Sequence, residues 1–195
     1  MSAIIGLRSR TGRVIAVALT GNSKAPTVVA RKEISLLDPK PSEAFLYHAV
    51  LDLPWAEAER AVQPTIRMLE RTAASLLGKV LGELKSKNTV VSGVGIVGSP
   101  DRKLESIGNY HIRAHAAEGL VFRRVWEFAA RENGLTLAIY SDRSLMEEAP
   151  AKLKLSAVEI NRVLSALGQS IGPPWRSDEK LAATAAWLTL KGPKK

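Results

Sequence analysis

Three strand-forming runs open the chain, at residues 3–9, 13–20 and 27–36, and the links between them are only a few residues long. Each run is rich in Val, Ile, Ala or Leu, and Thr11-Gly12 and Gly21-Asn22 supply turn residues. Links this short join antiparallel neighbours, so the spacing predicts a meander that Asp38-Pro39 and Pro41 end. The first hairpin, "IIGLRSRTGRVIAVAL" (Ile4–Leu19), carries Arg8, Arg10 and Arg13 around its bend and no carboxylate.

Beyond the meander the pattern alternates. Residues 38–63 suggest a helical insertion, with Ser42 as a cap for a short helix through Val50 and Asp52 with Pro54 as a second helix start. Val62, Ile66, Leu69, Ala73, Leu76 and Val80 then recur at spacings of three and four, which predicts a long amphipathic helix kinked or begun at Pro64. "NTVVSGVGIVG" (Asn88–Gly98) reads as a buried central strand. A helix is expected near 112–132 with Ala117, Val121, Val125 and Phe128 on its buried face, then a strand at Leu135–Tyr140. Ser144 with Glu147 and Ser156 with Glu159 have capping-box spacing, and Gly168 is a natural helix stop. A last helix, Asp178–Leu190, precedes a basic tail at 191–195. The order β-β-β-α-β-α-β-α-α predicts one α/β domain over 1–190: a mixed five-stranded sheet with helices on both faces.

With 46% hydrophobic and 24% charged residues the composition is that of a globular protein. No apolar run is long enough to span a bilayer, no leader pattern is visible, and a cytoplasmic protein without a membrane partner is expected. The absence of cysteine excludes disulfides, thiolate catalysis and Cys-ligated zinc. Net charge is +9, and residues 1–40 hold seven basic side chains against Glu33 and Asp38. That bias suits a polyanion such as DNA or RNA.

The element order, with the hairpin quoted above, "AEG" (Ala117–Gly119), "YSDRSL" after the fifth strand and "DEKLAATAAWL" near the end, resembles the RNase H-like fold of the Holliday-junction-resolvase type (RuvC and YqgF relatives). The resemblance implies a first strand reading Gly-x-Asp-x-Gly, whose Asp joins later acids to hold two divalent cations. With Gly6 set on the first glycine, Arg8 stands where that Asp belongs. Strand four ends without an acid, Asp101 being the nearest, and Asp142, Asp178 and Glu179 remain as candidates for the later catalytic positions. A guanidinium cannot ligate Mg²⁺, but its planar fork suits phosphate. The expectation is therefore a nucleic-acid-binding protein with a degenerate acid set, no metal and no cofactor. Arg8, Arg10 and Arg13 would contact phosphates, joined by Arg113 and Arg124 on the helix after strand four. Two alternatives are a metal-dependent nuclease with rearranged carboxylates, needing Mg²⁺, and an assembly module that keeps only the scaffold. A homodimer is compatible with each.

Three further features have ordinary readings. Gly93-x-Gly95-x-x-Gly98 matches a dinucleotide fingerprint, but a charged loop follows it, so close helix packing is the expected role. His111, His115 and Glu118 have metal-site spacing on a helix, yet His48 is distant in sequence, and a solvated polar face is expected. The four tryptophans are expected in the core or an interface, with Trp175 beside Arg176 as the one candidate for base stacking.

Overall fold

The computed structural model describes residues 1–37 and 45–192. Five strands, β1 (Ser2–Arg10), β2 (Arg13–Asn22), β3 (Ala25–Ser35), β4 (Val90–Gly98) and β5 (Thr136–Ser141), form one sheet in the order β3-β2-β1-β4-β5. The first three are antiparallel, and β4 and β5 add in parallel on the other side of β1. The expected mixed α/β sheet is present.

Helices cover both faces. One face carries α1 (Trp55–Ser86) and α2 (Tyr110–Glu132), packed on Ile5, Leu7, Val14 and Ala16. The other carries α3 (Leu145–Leu153), α4 (Ala157–Ile171) and α5 (Ser177–Lys191), packed on Ile4, Val17 and Leu19. Alternation along β1 divides the two cores, so even-numbered residues, Arg8 among them, face α5.

Glycine decides how closely α5 approaches. A Cβ on Gly6 would stand 1.8 Å from the Ala182 carbonyl oxygen, and one on Gly95 would stand 2.6 Å from that of Ala185. On the helix side, Ala182, Ala183, Ala185 and Ala186 are wholly buried. The Gly93–Gly98 run is thus a strand on which side chains and a helix backbone close in, as its context predicts.

Several local expectations change. The second hairpin turns at Ser23-Lys24, not Gly21-Asn22, because Asn22 Oδ1 accepts the amides of Lys24 and Ala25 and holds the bend there. Pro64 does not start the helix: α1 runs from Trp55 for 32 residues, with Pro64 inside it on the exposed face, where water can reach the carbonyl it frees. Of the expected insertion, 38–44 (with the Ser42 cap) lies outside the described residues, 48–50 is a single 3-10 turn, and 55–63 belongs to α1. The tail residues 193–195 also lie outside them.

On α2, Phe122 and Trp126 replace Phe128 in the core, since α1 and the sheet enclose more of the helix than one stripe. Ser156 and Glu159 form the expected capping box, but Ser144 turns to Glu148 and makes none with Glu147. α4 passes Gly168 and ends at Gly172; Gly168 instead makes room for the Trp175 ring.

Candidate functional site

The parallel strands deliver their ends to one place. Arg8 pairs with Val97 across β1 and β4, Gly98 with Ser141 across β4 and β5, and the Asp142 amide extends the ladder to the Gly98 carbonyl. Strand C-termini in such a sheet border a crevice. The first turn of α5 brings Asp178 to the same point, because the alanine-glycine contact fixes where that helix crosses β1.

Arg8 lies at the centre and is 5% exposed. Its Nη2 donates to Asp142 Oδ2 at 3.2 Å, and its Nε lies 3.6 Å from Asp178 Oδ1. Arg10, two residues on and facing the same way, donates to both Asp178 oxygens, with Nη2–Oδ1 at 2.7 Å and Nε–Oδ2 at 3.0 Å. Two guanidinium groups and two carboxylates therefore interlock. Burial lowers the Arg8 pKa, and the neighbouring Arg10 charge adds to this against the pull of Asp142 and Asp178. Burial raises the Asp178 carboxyl, but the hydrogen bonds from Arg10 and the charges of Arg10, Arg8 and Arg13 outweigh it, so its pKa falls. The hydrogen bond to Asp178 raises Arg10.

The other candidates separate. Glu179 is buried and turned the other way, accepting the Arg176 amide at 2.8 Å as a helix cap. Asp101 binds Arg123 at 2.7 Å and Arg124 at 3.3 Å, with its pKa lowered first by the Arg123 hydrogen bond. Arg13 pairs with Glu33 at the surface. Arg113 donates to the Ile107 carbonyl and lies over the Trp55 and Tyr110 rings. Asp142 and Asp178 thus converge on Arg8, while Glu179, Arg113 and Arg124 stand elsewhere.

Arg123 escaped the sequence reading. It is 3% exposed and joins Asp101 to Glu127, which lies one turn along α2 at 2.9 Å. The i, i+4 spacing of Arg123 and Glu127 was the available signal. Trp126 and Trp187 fill the two cores, and Trp55 stacks on Tyr47. Trp175 lies against Gly168.

A second polar cluster lies beside α2. His111 and His115 do not lie on a purely solvated face: His48 reaches them from the 3-10 turn after the meander, and Glu118 beneath is 2% exposed. The sequence distance of His48 concealed this.

No protein-family model and no curated protein matches the chain. Among solved structures it is similar to the Thermus thermophilus RuvC structure, at 12% identity over 95% of this chain and 92% of that one, with a TM-score of 0.49. It is similar also to T. thermophilus RuvC in complex with Holliday junction substrate, at 12% identity over 96% and 92%, with a TM-score of 0.48. No described helix is long and apolar enough to cross a membrane. Strand order and strand direction carry the fold assignment: three antiparallel strands extended by two parallel ones, helices on both faces, give this chain the RNase H-like fold.

Proposed function

We propose that the chain binds nucleic acid at the C-terminal edge of β1, β4 and β5 without hydrolysing it. The observation that carries this reading is the Arg8 guanidinium seated between Asp142 and Asp178. Two-metal hydrolysis needs carboxylate oxygens free to surround divalent cations. Here the carboxylates are neutralised by two permanent cations, and an incoming Mg²⁺ would meet the charges of Arg8 and Arg10. Phosphate meets the opposite situation. Arg10 and Arg13 keep side chains 44% and 48% exposed at the rim, and the chain carries a net charge of +9.

One observation favours an assembly module instead: Arg8, Arg10, Arg13 and Arg124 each already face a carboxylate of the chain. Fluorescence anisotropy with branched and linear DNA and with RNA, across a salt series, separates the two. Binding predicts a linear fall of log affinity with log salt, and a shallower slope in the double variant Arg10→Ala, Arg13→Ala. Absence of affinity at moderate salt together with a discrete dimer in light scattering would favour assembly. Mg²⁺-dependent cleavage lost in Asp142→Asn would restore the nuclease alternative and end this reading.

A further inference from the structure

The cluster beside α2 has a chemistry of its own, independent of the arginine site. His111 and His115 stand one turn apart on α2 with ring centroids at 4.5 Å, and the His48 ring lies 4.9 and 4.4 Å from theirs. One ring nitrogen from each of the three lies within 4.8 Å of the others. Tetrahedral ligands about 2.0–2.1 Å from an ion stand about 3.3 Å apart, so modest ring rotations close the set.

Glu118 prepares the third ligand. Its Oε1 accepts the backbone amides of Tyr47 and His48 at 3.1 and 3.2 Å and lies 2.8 Å from His48 Nδ1. A carboxylate only accepts, so the proton of neutral His48 belongs on Nδ1, and the Nε2 lone pair is left free. That Nε2 is shielded from solvent and has no hydrogen-bond partner among the described residues. A buried acceptor left bare is costly unless something binds it. A carboxylate on one imidazole nitrogen with the other left free is the pairing found behind metal-bound histidines, where the outer carboxylate fixes tautomer and ring orientation.

We propose that His48, His111 and His115 bind one transition-metal dication of the zinc class, with Glu118 as the positioning residue behind His48. Three imidazoles with no thiolate and no inner carboxylate suit zinc, cobalt, nickel or copper, and not magnesium or calcium. The exposure of His111 and His115 gives the ion a route in and leaves a coordination position open to water. The ion would clip the 3-10 turn at 48–50 onto α2.

The test uses the full chain freed of any histidine tag and stripped with a chelator. Titration with Co²⁺, followed by its ligand-field absorption, and displacement by Zn²⁺ should give one ion per chain, with no response to Mg²⁺. His111→Ala and His115→Ala, both at exposed positions, should each weaken Zn²⁺ binding at least about 100-fold, and Glu118→Gln about 10- to 100-fold. Zn²⁺ should raise the melting temperature of the parent protein and leave that of His111→Ala unmoved. Absence of Co²⁺ binding, equal affinity in His111→Ala, or equal binding of Mg²⁺ would overturn the assignment.

Discussion

Asp178 feels two opposed forces, burial and arginine, and the balance has a sign that can be read in solution. Its pKa is lowered below the ordinary 3.8, so its contribution to stability is complete above that value and drains away as pH falls through the lower, folded-state value. Asn in its place has no such titration. The stability gap between the parent protein and Asp178→Asn, measured by urea unfolding from pH 6 to pH 2.5, should therefore be widest at pH 6 and shrink below about pH 4. A gap that stays constant across the range would mean that the Arg8 and Arg10 contacts do not hold in solution. At this scale the sequence disclosed the unusual residue and hid its partners. Arg8 stands out just past the apolar run Ala3–Leu7, but Asp142 lies 134 positions from it and Asp178 lies 168 from Arg10, and nothing local ties them together. The histidines repeat the lesson: spacing along α2 gave two, and the third came from a separate element.

Elements were far more legible than contacts, and the reason is physical. Strand and helix periods are set by neighbours a few residues apart, so the three opening strands, the long amphipathic helix and the Ser156 capping box could all be read directly. Errors fell where a side chain outbid a backbone habit. Asn22 moved a turn, and Trp175 claimed the space above Gly168. The glycine of β1 is the most demanding of these details, for it faces helix backbone and no movable side chain. Gly6→Ala should force α5 outward and lower stability by about 3 kcal/mol or more, with the loss visible as a reduced denaturation midpoint. Gly82→Ala, where nothing stands within 4 Å, is the matched control and should be neutral or slightly stabilising.

At the scale of the molecule, the sheet is a partition between two cores, and α5 is the principal cover of one of them. Its Ala182, Ala183, Ala185, Ala186, Trp187 and Leu188 are all buried, and Trp187 Nε1 also ties the β2–β3 turn by donating to the Ser23 carbonyl at 2.8 Å. A chain ending before Ser177 should lose cooperative thermal unfolding, not merely melt earlier, as circular dichroism would register; a sharp transition in that truncation would show that the other core suffices. Because α5 (Ser177–Lys191) is made long after β1 (Ser2–Arg10), the opening hairpin leaves the ribosome well before its cover exists. One apolar face of that hairpin stays wet until α5 emerges, which makes the nascent chain a natural client for chaperones.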